Sequence, residues 1–430
     1  MKFLRRILTA ALSLALLAPA CAQAAEPAGD MRGVWVSSVY NLDYPSKAGL
    51  SVDQLKQEAV DILENARSCG LNTIFLQVRP TSDALYPSDL FPWSHWLTGA
   101  QGTAPAGGFD PLEFWVTEAH KRGLELHAWL NPYRVTRDKN WDTLDPKNPA
   151  KTHENWAVKY TDDNYYYDPG LPEVRQLVVD GAVEIVKNYD VDGIHLDDYF
   201  YPGTDFNDAA TYQQYGSGFD NIADWRRDNV NQLVAMLDKS LHEADADIAF
   251  GISPAGVWAN KTTDPRGSDT RGGNESYANA YADSLAWIKA GTVDYIIPQI
   301  YWEIGHKAAD FATLTDWWAE QTKNTDVKLY IGIAAYKCHD NQTPTWKDTT
   351  HIFDSLDYLS KNPAVSGAVF FRYGSLKEVD GLQQGLMDWY KVEHAPDHPA
   401  ESTDIPENAF PAAATGFAGI FTMFISAIAR

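Results

Sequence analysis

The stretch Asp192-Gly193-Ile194-His195-Leu196-Asp197-Asp198-Tyr199-Phe200-Tyr201-Pro202 runs from a short apolar segment into two adjacent carboxylates and then into aromatic rings. Side chains alternate across a strand, so Ile194, Leu196 and Asp198 point one way while Gly193, His195, Asp197 and Tyr199 point the other. In a parallel barrel the apolar set faces the surrounding helices, which leaves His195 and Asp197 facing the interior. A buried His and Asp two residues apart cost free energy unless they are partnered or used. The peptide therefore reads as the C-terminal end of a barrel strand, with a catalytic Asp197 toward the axis and Asp198 at the rim.

Seven further strand-like runs flank it: Gly33–Tyr40, Asn72–Arg79, Glu125–Asn131, Ala249–Ser253, Tyr295–Trp302, Leu329–Ala335 and Gly367–Tyr373. Between them lie amphipathic runs with the apolar spacing of crossover helices, such as Val52–Ser68, Pro111–Arg122, Pro172–Tyr189 and Asn221–Ala244. Eight such units predict a single (β/α)8 barrel over residues 31–390, with long insertions after several strands. A doubly wound sheet is disfavoured because Ser37-Ser38-Val39-Tyr40-Asn41, and no Gly-rich phosphate loop, follows the first strand. The alternation test places Trp35, Ser37, Gln77, Arg79, His127, Trp129, Asn131, Ser253, Gln299 and Tyr301 inward as well. Barrel interiors are normally filled by Val, Ile and Leu, so this polar set marks the mouth where chemistry is done.

The flanks carry separate signals. Residues 1–24 have a basic start (Lys2, Arg5, Arg6), an apolar run and the small-residue pattern Ala22-Gln23-Ala24 of a secretory leader, so an exported protein is expected. The formal charge of −23 becomes three charges more negative without that leader, which argues against nucleic acid as a partner. Cys21 is a candidate for lipidation. Cys69 and Cys338 fall at opposite ends of the predicted barrel and are expected to be free. Residues 391–408 read as a flexible linker, and residues 409–430 as an apolar segment long enough for a membrane anchor, since a span needs about 20 residues.

Fifteen Trp and 22 Tyr supply rings at the strand ends, among them Tyr133, Tyr199, Trp258, Tyr301 and Trp302. Rings beside hydrogen-bonding amides and acids suit a polysaccharide, whose sugar faces stack on aromatics while its hydroxyls need directional partners. Arg32-Gly33-Val34-Trp35-Val36, Gln77-Val78-Arg79-Pro80, Asp83-Ala84-Leu85-Tyr86, Asn131-Pro132-Tyr133-Arg134, Asp192 to Pro202 and Pro298-Gln299-Ile300-Tyr301-Trp302 together resemble the glycosyl-hydrolase-like family 10 domain. The resemblance implies a barrel glycoside hydrolase of the bacterial cell envelope, in a family that includes an exported enzyme acting on peptide-free peptidoglycan strands.

Glycosidic cleavage needs one protonated carboxyl as general acid and one ionised carboxylate as nucleophile or base. Asp197 is expected to be the ionised group, held charged by Arg79 or His195. Glu303, between Trp302 and Ile304, leads as the acid because apolar surroundings raise a carboxyl pKa, with Asp83 and Asp198 next. The chain lacks a glutamate at the ends of the fourth and seventh strands, which leaves retention or inversion open. Arg79, Arg134 and Arg372 are candidate partners for an anionic sugar substituent such as a lactyl carboxylate. Asn131, Tyr133, His195, Tyr199, Trp258, Gln299, Tyr301 and Trp302 complete the expected binding surface. No cofactor or metal is expected. The alternatives are a metal-dependent polysaccharide deacetylase using Asp197, Asp198, His195 and His127, although no HExxH motif is present, and a non-catalytic glycan-binding barrel.

Overall fold

The structure is a computed structural model and describes residues 31–339 and 344–392. Its strands in chain order are β1 (Met31–Val36), β2 (Thr73–Arg79), β3 (Glu125–Leu130), β4 (Ala157–Lys159), β5 (Tyr165–Tyr167), β6 (Gly193–Leu196), β7 (Ala249–Ile252), β8 (Tyr295–Ile296), β9 (Lys328–Ala334) and β10 (Val365–Phe371). All but β4 and β5 pair in parallel and close into an eight-stranded barrel, with β10 returning to β1. The predicted (β/α)8 architecture is therefore present. The antiparallel ribbon β4–β5 was not expected, because its Tyr165-Tyr166-Tyr167 run sits among the polar turn residues of a long loop.

The crossover helices follow from their apolar spacing. Helix Val52–Ser68 buries Leu55, Ala59, Ile62, Leu63 and Ala66 against the strands, and the Ser51 and Gln54 side chains close a capping box at its start. The outward residues of the strands, among them Val34, Ile74, Leu126, Ile194 and Leu196, belong to this continuous outer core. A second, inner cluster fills the barrel with Met31, Trp35, Phe75, Trp129, Tyr295, Ile297, Tyr330 and Val369. Two glycines make room for it: a Cβ on Gly193 would lie 2.3 Å from the His127 ring, and one on Gly251 would lie 2.1 Å from the Tyr295 ring.

β1, β8 and β2 depart from expectation toward their C-terminal ends, each for a local cause. β1 stops at Val36 because the chain turns at Val39–Asn41, where Tyr40 and Asn41 adopt φ of 57° and 53°. β8 is two residues long because Pro298 has no N–H for the ladder; the pairing resumes only as single bridges from Gln299 to Ala255 and Gly332. In β2 the register shifts between Gln77 and Arg79, so Arg79 stands opposite Leu130, a residue of the outer core.

Cys69 and Cys338 are both buried and free, as expected. The leader at 1–24, Cys21, most of the linker and the apolar segment at 409–430 lie outside the described residues. Among the described residues no helix is long and apolar enough to cross a membrane.

The barrel seam is tied above β1 and β10 by an ion pair. Arg372 Nη1 bonds Asp43 Oδ1 and donates to the Leu42 carbonyl at 2.9 Å, while Asp43 also accepts the backbone N–H groups of Ser37 (2.9 Å) and Gly374 (2.8 Å). Both side chains are buried. Replacing Asp43 with Ala strands the guanidinium and two N–H donors, so the unfolding free energy should fall by about 3–5 kcal/mol, measured by urea denaturation.

Candidate active site

The C-terminal mouth of the barrel is organised by a chain of amides. Gln77 Oε1 accepts the backbone N–H groups of Ser38 and Val39, each at 3.0 Å, and the Ser37 hydroxyl at 3.0 Å. Backbone N–H groups can only donate, so they fix which end of the Gln77 amide is oxygen. Its nitrogen then donates to Asn131 Oδ1 at 2.6 Å, and the Asn131 nitrogen in turn donates to Asp197 Oδ2. The same oxygen accepts Trp129 Nε1 at 3.2 Å, and Asp197 Oδ1 accepts the backbone N–H of Tyr199 at 3.2 Å. None of these three donor groups has an acceptor to offer a carboxyl proton, so the arrangement demands the ionised form of Asp197. Burial pushes its carboxyl above the ordinary range, and the Arg134 charge and the same three donors oppose that push.

Asp198 stands beside it in the cleft and differs in its surroundings. β6 ends at Leu196, so strand alternation no longer governs Asp198, and both carboxyls line one cleft. Asp198 Oδ1 accepts a single side-chain donor, Gln299 Nε2, at 3.2 Å. Burial, and after it the negative charge of Asp197, push its pKa up to about 7. One ionised and one protonated carboxyl therefore lie side by side near neutral pH. This is the arrangement acid–base chemistry requires.

Below them, His195 is locked in the barrel. Its Nε2 faces the Trp35 indole N–H at 3.2 Å and the Ser253 hydroxyl at 3.0 Å, and its Nδ1 faces the Tyr295 hydroxyl at 3.3 Å. The indole can only donate, so Nε2 is an acceptor and Nδ1 carries the proton of a neutral ring. Burial, followed by the neighbouring His127, holds its pKa well below the usual value. His127 shares the Tyr295 hydroxyl at 2.9 Å. Both imidazoles are thus engaged by Tyr295, and no group of three or more His, Cys, Asp or Glu side chains is gathered as metal ligands among the described residues.

The cleft walls hold Trp35, Trp129, Tyr199, Tyr201, Tyr301, Trp302 and Phe371, with Arg134 lying 3.7 Å from the centre of the Tyr199 ring. Arg134 is placed by the unexpected ribbon, since it bridges to Tyr166 of β5. Of the residues expected here, Asp197, Asp198, Arg134, Tyr199, Gln299, Tyr301 and Trp302 line the cleft, while Asn131 and His195 support it from beneath.

Six expected residues lie elsewhere. The shift in β2 turns Arg79 to the helix layer, where its guanidinium lies 4.7 Å from the Phe91 ring centre and against Gly181. Arg372 is spent on Asp43. Glu303 accepts Trp346 Nε1 at 3.2 Å and does not reach the cleft. Asp83 is buried under hydrogen bonds from Thr81 (2.9 Å) and Gln101 (3.2 Å), holding loops together. Tyr133 and Trp258 pack in the outer core, Trp258 against Tyr277 and Trp317. Asn274 and Asn279 also line the cleft from the loop after β7. That loop has no strand periodicity to mark them.

The chain is similar to several known proteins. The family model described as Glycosyl hydrolase-like 10 matches residues 30–348. The chain is 46% identical over 365 residues to the glycosyl hydrolase YngK of Bacillus subtilis, covering 84% of this chain and 70% of that protein. It is 40% identical over 366 residues to the glycosyl hydrolase DigH of Escherichia coli K12, covering 80% and 82%. Among solved structures, the glycoside hydrolase domain of PgaB (BpsB) from Bordetella bronchiseptica superposes with a TM-score of 0.54 at 14% identity, over 85% of this chain and all of that one, which speaks to the fold alone.

The neutral His195 has a thermodynamic consequence. The unfolded chain takes up a proton at His195 near pH 6.5 and the folded one, with its depressed pKa, does not, so this group removes stability as pH falls below about 6.5. Urea denaturation between pH 8 and 5 should show wild type losing up to about 1.4 kcal/mol per pH unit relative to His195→Gln. Equal slopes would mean that His195 is protonated in the fold.

Proposed function

This chain belongs to the glycosyl hydrolase-like 10 family and is a glycoside hydrolase; from that premise we propose that it cuts the glycan strands of peptidoglycan, with Asp198 as general acid and Asp197 as its ionised partner. The observation that carries the assignment of roles is the asymmetry of donors. Asp197 is surrounded by three groups that can only give hydrogen bonds to it, while Asp198 keeps a proton at a pKa of about 7 beside it. Glu303 and Asp83 are replaced by Asp198 in the role of acid because both lie outside the cleft.

The substrate reading rests on three supports. The expected leader directs the chain to the envelope, where this polymer is found. The aromatic walls offer faces for sugar rings. Arg134 lines the cleft with a buried Nε that has no hydrogen-bond partner, a fixed positive group suited to an anionic sugar substituent in an otherwise acidic protein. Residues 409–430, as an apolar segment, fit an attachment to the membrane. Export and anchoring are part of this proposal.

Digestion of intact and peptide-free peptidoglycan, followed by mass analysis, tests the substrate: new reducing ends are expected from the peptide-free strands. Asp198→Asn should lower kcat by about 10²- to 10⁴-fold with little change in substrate binding. In wild type, kcat/KM should fall about tenfold per pH unit above roughly pH 7, as Asp198 loses the proton it must donate. A rate that holds constant to pH 9 would exclude Asp198 as the acid.

A further inference from the structure

Asp197 is poorly suited to attack a sugar. An ionised carboxylate offers about four acceptor positions. Trp129 and Asn131 occupy two on Oδ2, and the Tyr199 N–H occupies one on Oδ1. What remains is one position on Oδ1, enough to accept a single N–H. Forming a bond from either oxygen to carbon would draw electron density away from three donors that have been placed to hold it, two of them buried.

Among the described residues no other group fills the role. Among the described residues lining the cleft, Asp197 and Asp198 are the carboxylates. Inversion needs a base about 6.5–9.5 Å from the acid, across the sugar ring. Asp197 and Asp198 are consecutive, with Cα atoms about 3.8 Å apart, and rise from the end of one strand. They therefore share a wall of the cleft and do not face each other across it.

The missing nucleophile and the free acceptor position point to the same substituent. We infer that this enzyme cleaves beside a 2-acetamido sugar, whose own amide oxygen attacks C1 while Asp197 accepts the amide N–H and Asp198 protonates the departing oxygen. The inference rests on the glycoside hydrolase reading and deepens it. In the first step the acetamido oxygen bonds to C1 as the glycosidic C1–O bond breaks. That electron pair leaves with the glycosidic oxygen, which takes the Asp198 proton, and the positive charge of the resulting oxazolinium ring rests against the Asp197 carboxylate. In the second step water attacks C1, the C1–O bond of the ring breaks to restore the acetamido group, and Asp198 takes the water's proton. One water is consumed, and two inversions leave the anomeric configuration retained. Trp35 and Tyr301, each with its ring centre about 6 Å from that of Phe371, supply with it the apolar surface that an acetamido methyl group needs.

The test uses a thiazoline derived from N-acetylglucosamine, a stable analogue of the bicyclic intermediate. Calorimetric titration should show it binding wild type, binding Asp198→Asn within a fewfold, and binding Asp197→Asn at least tenfold more weakly, with thermal unfolding as the check that each variant is folded. Wild type alone also decides: NMR of the first-formed product should show the retained anomer, and chemical N-deacetylation of a cleaved glycan should slow its cleavage at least 100-fold. An inverted product, undiminished cleavage after N-deacetylation, or no thiazoline binding to wild type overturns the inference. Cleavage of peptidoglycan strands with inversion would overturn it while leaving the substrate proposal standing. Retaining cleavage of chitooligosaccharides with peptidoglycan strands untouched would do the reverse.

Discussion

The catalytic end of this barrel depends on two backbone N–H groups, those of Ser38 and Val39, both pointing at Gln77 Oε1. They cannot be reversed, so the amide of Gln77 cannot be reversed without leaving two buried donors facing a third, at a cost of about 1–3 kcal/mol each. The constraint passes to Asn131 and from there to Asp197. A carboxylate at the centre of the mouth is thus specified by the turn after the first strand, some 160 residues earlier in the chain. The fold delivers that turn because β1 ends early, and the same turn receives Asp43, whose bond to Arg372 closes the barrel seam.

A barrel with this much polarity inside must satisfy it without water. It does so by layers. At the bottom and middle, large rings interdigitate with the space left by Gly193 and Gly251, and the Tyr295 hydroxyl serves both imidazoles. Above that lies Trp35, whose N–H fixes the tautomer of His195. The top layer carries the charge, and there Trp129, Asn131 and the Tyr199 N–H converge on Asp197. His195, which the sequence suggested as a cationic partner for Asp197, is instead a neutral support for the layer beneath it.

The barrel was legible because it rests on patterns that repeat: eight apolar runs, alternation of two, and helical spacing between them. Inward positions were legible wherever a strand kept its register, as for Gln77, Trp129, His195 and Ser253. The misreadings fall where register fails. The shift in β2 sent Arg79 to the helices, and the end of β6 at Leu196 returned Asp198 to the cleft. Glu303 and Arg372 were misplaced for a different reason. Their partners, Trp346 and Asp43, come from distant segments, and local sequence does not say which donor will occupy an acid or which acid a cation. Asn274 and Asn279 enter from a loop with no period at all.

The two aspartates at the end of β6 set each other's protonation, so the role of one follows from the state of the other. Asp198 holds its proton partly because Asp197 has lost one, and Asp197 has lost one because Trp129, Asn131 and the Tyr199 N–H offer it only donors. Asymmetry in hydrogen bonding is therefore converted into asymmetry in protonation between neighbours of identical chemistry. A single strand end can supply both the acid and the anion in this way, provided that the anion is not also required to attack. That proviso links the hydrogen-bond pattern to the substrate: the more completely the protein fixes Asp197 as a charge, the more the bond-forming atom must come from the sugar.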